Sequence, residues 1–195
     1  MKFETFFSFF NKKKYVCPWY MAYTFDNPIR KLVHNPNQIL GAYIKKGMVV
    51  ADIGCGMGYF SLAMAKLVGH KGKVYAIDLQ QKMLDILKKR SQKQKLSKRI
   101  SLHKCTQNKL DLNLKFNFIL AFWMVHEVPD QDKLLKEIHT MLNPDGKLLI
   151  SEPLFHVSKK AFNVTCQKAH QIGFKIIDHP KIFFNHAVVL KKAGN

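Results

Sequence analysis

Asp52-Ile53-Gly54-Cys55-Gly56-Met57-Gly58 decides the fold. It follows the apolar run Met48-Val49-Val50-Ala51 and precedes a helical pattern, Tyr59-Phe60-Ser61-Leu62-Ala63-Met64-Ala65. A strand ending in an acid, glycines at alternate positions and then a helix form a cradle for a nucleoside-bearing ligand. Glycine turns tightly and leaves no Cβ in the ligand's way, while the first amides of the helix offer donors. The nicotinamide fingerprint G-x-G-x-x-G puts its third glycine three residues after the second. Here Tyr59 holds that position and Gly58 comes one residue early. Asp52, two residues before the first glycine, repels a diphosphate and suits a cationic amino-acid group.

Beyond this turn the chain alternates strand and helix signals. Lys73 to Asp78 is a β-rich run ending in an acid, and Gln81 to Lys95 carries Met83, Leu84, Ile86 and Leu87 as an apolar helical stripe. Ile100 to His103 alternates like a strand, and Phe116 to Phe122 reads as a strand buried on both faces. Pro129-Asp130 opens a helix with Leu134, Leu135, Ile138 and Leu142 on one face, and Asn143-Pro144-Asp145-Gly146 stops it. Lys147 to Glu152 is a fifth strand, and Ser158 caps a helix that Gly173 ends. Phe174 to Ile177 and Ala187 to Leu190 close the chain as a hairpin. This pattern predicts an α/β fold with a parallel sheet, helices on both faces and an antiparallel edge.

Composition narrows the context. At 195 residues the chain is long enough for one domain with its own core. Cys17, Cys55, Cys105 and Cys166 show no zinc-type spacing and read as free thiols of a reducing cytoplasm, so no metal site is expected. The opening Met1-Lys2-Phe3-Glu4 lacks a signal-peptide layout. No apolar run approaches the roughly 18 residues of a spanning helix. The net charge of +19 comes almost wholly from lysine, with arginine only at positions 30, 90 and 99. The densest basic stretch, Lys82 to Lys104, reads either as a groove for RNA or acidic lipid or as the solvated face of a surface helix.

The pattern D-x-G-x-G-x-G resembles the first motif of class I S-adenosylmethionine (SAM)-dependent methyltransferases. From about Gly47 to Lys192 the chain resembles a minimal enzyme of that class, in the small-molecule group (methyltransferase type 11) that includes quinone-biosynthesis and arsenite methyltransferases. The resemblance implies a three-layer αβα Rossmann-like fold with a seven-stranded, mostly parallel sheet. It implies SAM as cofactor, a lid or substrate-capping segment over residues 1–46 and a SAM-binding domain over 47–195. Asp78, 26 residues after Asp52, matches the acid that takes both ribose hydroxyls. Leu79 and Met83 match positions packed on adenine. Asp52 would act on the ammonium and the backbone of Gly54 and Gly56 would line the methionine moiety, with Cys55, Gly58, Tyr59 and Phe122, at the end of the fourth strand, as further cofactor contacts. Thr106 and Gln107 stand where the family carries an acid for the adenine amino group, a departure that weakens that hydrogen bond. Asp78 also reads as a helix N-cap, Met83 as core, and Cys55 as a small loop residue.

In open parallel sheets ligands bind beyond the carboxyl ends of the strands. After the fourth strand come Trp123 and Met124, which could wall an apolar pocket, then His126 and Glu127, candidates to orient or deprotonate an acceptor. His126 equally reads as a structural hydrogen-bonding group. Trp19, Tyr20 and Tyr23 join Trp123 and His126 as candidate substrate contacts, by cation–π attraction or apolar enclosure. Phe3, Phe6, Phe7 and Phe10, followed by Lys12-Lys13-Lys14, suit a lid helix or a peripheral membrane contact through residues 1–14. Arsenite enzymes place a cysteine just after the glycine turn, where this chain has Tyr59 and Phe60, so the metalloid site does not carry over. The leading expectation is a cytoplasmic SAM-dependent methyltransferase with a small apolar or aromatic acceptor. Methylation of RNA or a ribosomal component, and a SAM-binding module without catalysis, remain alternatives. The oligomeric state is open.

Overall fold

A computed structural model describes residues 18–20 and 28–194. The stripe Phe3, Phe6, Phe7 and Phe10, the lysines at 12–14 and Tyr23 lie outside those residues, as does most of the aromatic run around them.

Two short helices, α1 (Pro28–Val33) and α2 (Pro36–Leu40), precede the sheet. Its strands are β1 (Val49–Ile53), β2 (Lys73–Asp78), β3 (Ile100–Lys104), β4 (Phe116–Phe122), β5 (Leu142–Pro153), β6 (Phe174–Asp178) and β7 (Asn185–Lys192). Between them run α3 (Tyr59–Leu67), α4 (Gln81–Lys93), α5 (Gln131–Met141) and α6 (Lys159–Ile172). The strand order is β3-β2-β1-β4-β5-β7-β6. The first five strands pair in parallel, and β7 runs antiparallel to both neighbours. Strand order reverses between β1 and β4, which opens a crevice at their carboxyl ends.

Side chains alternate across each strand, so a strand covered on both sides must be apolar at nearly every position. In β4, Phe118 and Leu120 enter one core layer while Ile119 and Ala121 enter the other. The first layer joins them to Phe60 and Met64 of α3 and Leu84 and Leu87 of α4. The second joins them to Leu135 and Ile138 of α5 and Phe162 of α6. Asp130 caps α5 through Lys133 N (2.9 Å), and Ser158 caps α6 through Ala161 N (3.2 Å).

Several boundaries differ from expectation, and β7 runs Asn185–Lys192, two residues longer at each end. Leu142 already pairs with Phe116, and Lys147 with Phe118, so the turn Asn143–Gly146 bulges out of a ladder expected to begin only at Lys147. Helix α4 stops at Lys93, before Lys95 takes a left-handed φ of 57°. That helix buries Met83, Leu84, Leu87 and Ser91 and exposes Lys82, Lys88, Lys89 and Lys93. Its lysines are thus in solvent, while Arg90 is half-buried and donates to Met57 O at 3.3 Å. Among the described residues no helix is long and apolar enough to cross a membrane.

Candidate active site

The β1–α3 turn is fastened to its neighbour by backbone and carboxylate. Gly54 N and Cys55 N both donate to Ile77 O, at 2.9 and 3.0 Å. Gly56 N donates to Asp78 Oδ2 and Gln80 N to Asp78 Oδ1, each at 2.8 Å. Asp78 therefore clamps the glycine turn to the β2–α4 turn, and the N-cap position of α4 belongs to Gln80. Burial raises the Asp78 pKa, while the backbone amides of Gln80, Gly56 and Leu79 oppose that rise.

Two glycines serve different ends. At Gly58 (φ +87°) a Cβ would lie 2.1 Å from Leu87 Cδ1, so this position packs α3 against α4. At Gly56 (φ +53°) a Cβ would meet nothing within 4 Å, so this position faces open space beside the Asp78 carboxylate.

Asp52 lies under the turn, 2% exposed, and accepts a 2.5 Å hydrogen bond from Ser61 Oγ. Burial lifts its pKa to about 7, against the Ser61 hydrogen bond, with Asp78 adding to the rise and Arg30 opposing it. Such a carboxyl gains from any further cation. Arg30 of α1 places its guanidinium 4.4 Å from the Tyr59 ring centroid and 5.0 Å from that of Trp123. Tyr59 Oη donates to His34 O at 2.9 Å, tying α3 to the α1–α2 connection. The His34 ring meets Phe122 and Trp123 edge-on at 5.6 and 5.3 Å. Trp123 holds a left-handed φ of 62°, donates its amide to Ser151 O (2.8 Å) and donates Nε1 to Asn185 Oδ1.

Beyond β4, a one-turn 3₁₀ segment, Val125–Glu127, carries the histidine. His126 Nδ1 bonds to Glu152 Oε2, and Val125 N donates to Glu152 Oε1 at 2.9 Å. Glu152, only 1% exposed at the end of β5, thus uses both oxygens on one short turn. Burial pulls the His126 pKa down, but the hydrogen bond and charge of Glu152, with Glu127 adding, outweigh it and raise the value. The carboxylate holds the proton on Nδ1 and leaves Nε2 as the accepting atom. His156 stacks on His126 with ring centroids 5.8 Å apart.

A family model described as a methyltransferase domain matches residues 44–187. The chain belongs to that family. Its fold class is that of the SAM-dependent methyltransferases, and the family's cofactor is SAM. A solved SAM-dependent methyltransferase from Aquifex aeolicus is 25% identical, with a TM-score of 0.80 over 90% of this chain and 98% of that one. A demethylmenaquinone methyltransferase of Lactobacillus johnsonii is 38% identical over 110 residues, 56% of this chain and 45% of that protein. A ubiquinone biosynthesis O-methyltransferase of Coxiella burnetii is 28% identical over 138 residues, 67% of this chain and 57% of that protein. The chain thus spans about half the length of these relatives.

The methyltransferase domain brings Asp52, Gly54, Gly56, Gly58 and Asp78 together around one turn. The residues fit SAM: Gly56 faces open space, a carboxylate stands at its rim, and a buried carboxyl below gains from a cation. Cys55 is buried, and desolvation, with Asp78 and Asp52 adding, raises its pKa well above the ordinary thiol value, so it stays neutral. Met83 is buried and Leu79 half-buried. Thr106 and Gln107 are exposed on the turn after β3, where Thr106 Oγ1 donates to Lys109 O at 3.3 Å. Phe122 is buried against Phe60, ring centroids 4.5 Å apart. Trp19 sits at the β2–α4 turn, donating its amide to Gln80 Oε1 (3.1 Å) under Lys82, with Tyr20 edge-on to it. These two rings thus stand beyond Asp78, whereas Trp123 and His126 follow β4. Among the described residues no group of His, Cys, Asp or Glu is arranged to hold a metal ion.

Sequence reasoning placed Glu152 at this edge without a role and passed over Arg30 and His34, all of which pack beside the expected residues. Glu152 had a legible signal, an acid at the carboxyl end of a buried strand. Arg30 and His34 had none, since their partners lie on other elements.

Proposed function

We propose that this domain methylates a small, apolar or aromatic acceptor, with His126 as general base and Glu152 as the residue that positions it. The His126–Glu152 pair carries the proposal. It stands at the carboxyl edge of the sheet beside the aromatic wall of Trp123 and Phe155, whose centroids are 6.0 Å apart. SAM supplies an electrophilic methyl group on a sulfonium, and its leaving sulfur needs no proton. The chain's task is alignment, exclusion of water and removal of the acceptor's proton.

Asp78 holds the ribose of the adenosine part, the glycine turn lines the methionine part, and Asp52 balances the ammonium. His126 Nε2 takes the hydroxyl proton as the acceptor oxygen attacks, and Glu152 stabilises the resulting imidazolium. A hydroquinone or catechol ring fits this wall and this base. The relatives' names, demethylmenaquinone methyltransferase and ubiquinone biosynthesis O-methyltransferase, support a quinone-related acceptor. Residues 1–46 act on this reading as the segment that caps the acceptor. The test is transfer of labelled methyl from SAM to a soluble hydroquinone or catechol. Turnover should appear with the wild-type chain and fall about 10²–10⁴-fold in His126→Asn, with SAM affinity retained. Full turnover in that variant would overturn the base assignment.

A further inference from the structure

Four apolar side chains stand exposed on two adjoining loops at the mouth of this site. Leu154 (44%) and Phe155 (50%) follow β5, and Phe183 (56%) and Phe184 (57%) precede β7. Leu154 N donates to Phe184 O at 3.1 Å, which joins the loops, and the two phenylalanine rings on the second loop lie 4.5 Å apart. Phe155 touches Trp123, so the patch is continuous with the aromatic wall described above. Single exposed apolar residues are ordinary, but a contiguous group rimmed by polar residues marks an interaction surface.

The backbone points the same way. Phe184 takes φ +53°, a conformation that glycine or asparagine adopts readily and a bulky side chain does not. The strain is not offset by burial, since its ring is mostly in solvent. A strained position that also exposes an aromatic ring motivates a functional reading.

Charge identifies the occupant. The stretches 154–160 and 179–184 contain Lys159, Lys160 and Lys181, His156 and His179, and no aspartate or glutamate. All three lysines are exposed. A second copy seated symmetrically on this face would oppose like charges. Phenylalanines beside lysines instead suit an anionic lipid surface, with the rings at the headgroup–acyl boundary and the ammonium groups at the phosphates.

We propose that this rim docks on an anionic bilayer and so lets an apolar acceptor reach Trp123 and His126 directly from lipid. The docking stands on the patch itself; the delivery role rests on the acceptor class proposed above.

Co-sedimentation of the full chain with vesicles tests it. The chain should pellet with mixed phosphatidylglycerol–phosphatidylcholine vesicles and not with phosphatidylcholine alone. Phe183→Ser/Phe184→Asn should weaken partitioning about ten-fold or more. Its melting temperature should be unchanged or higher, because asparagine relieves the strained φ, and its SAM affinity should be unchanged. Three results would overturn the proposal: no pelleting with the anionic vesicles, undiminished partitioning of the double variant, or a concentration-dependent dimer that the double variant abolishes. Loss of partitioning in Phe6→Ser/Phe7→Ser with none in the loop variant would also overturn it, by assigning the contact to the N-terminal stripe. SAM binding is read separately by calorimetry, so failure of the methyltransferase reading is distinguishable from failure of docking.

Discussion

His126 Nδ1 and Glu152 Oε2 meet across the ends of the paired strands β4 and β5, although 26 residues separate them in the chain. The carboxylate both orients the ring and favours its charged form, so the pair has a pH signature. In Glu152→Gln the acidic limb of the kcat/KM profile should move to lower pH, because the base loses the partner that raised its pKa. The same pair bears on stability. A raised folded-state pKa contributes fully below the ordinary histidine value of about 6.5 and fades as pH rises through the folded value. The melting-temperature gap between wild type and Glu152→Gln should therefore narrow from pH 6 upward.

Asp52 has the same sign from the opposite cause, since burial favours its neutral form whereas Glu152 favours the charged form of His126. Its folded pKa of about 7 exceeds the ordinary carboxylate value of about 4, so the folded state retains a proton that the unfolded state has lost. Stability should fall as pH climbs from about 4 to about 7, by up to about 4 kcal/mol, and level off above. Asp52→Asn keeps an oxygen for Ser61 and removes the titration, so its melting curve should flatten and lie above wild type at pH 8. Scanning calorimetry of both proteins from pH 5 to 8 checks this.

SAM binding should be linked to that proton. A cation near Asp52 favours the ionised form, so affinity should rise as pH passes through 7 with release of a proton. Titration calorimetry in buffers of different ionisation enthalpy counts it. Absence of proton release would remove Asp52 from the ligand's electrostatic partners.

The two glycines separate packing from ligand approach. Gly58→Ala drives a Cβ into Leu87 and should cost about 2 kcal/mol or more of stability. Gly56→Ala meets open space and should cost only about 1 kcal/mol of backbone strain, while SAM affinity falls disproportionately. Urea denaturation beside SAM titration resolves the two effects.

The lysines of α4 lie on its solvated face, so Lys88→Glu/Lys89→Glu should change stability by less than about 0.5 kcal/mol. Turnover of a small acceptor should be unaffected. Tight binding of RNA that weakens steeply with salt, and that this variant loses, would instead favour the nucleic-acid reading.

Much of this was legible along the chain because the signals are local. The apolar run, the alternate glycines and the following helical stripe announce β1, its turn and α3 within about twenty consecutive residues. The acid ending β2 is likewise read from spacing alone. Legibility failed where local chemistry and long-range pairing compete. Asn143-Pro144-Asp145-Gly146 is strong turn chemistry and does turn, yet Leu142 before it already finds Phe116, so the strand begins earlier than its neighbours suggest. Asp78 likewise reads locally as a helix cap, but its nearest unsatisfied donors include Gly56 N on another loop.

Periodicity and turn chemistry alone therefore specified an alternating α/β chain with a parallel sheet and an antiparallel edge, because burying apolar stripes leaves few other arrangements. Tertiary structure alone decided that Glu152 pairs with His126, that Arg30 lies over Tyr59 and Trp123, and that Phe155 joins Phe183 and Phe184 in one rim. Those relationships depend on which strand ends lie side by side. Strand order is set by packing summed over the whole sheet, and no short window of residues encodes it.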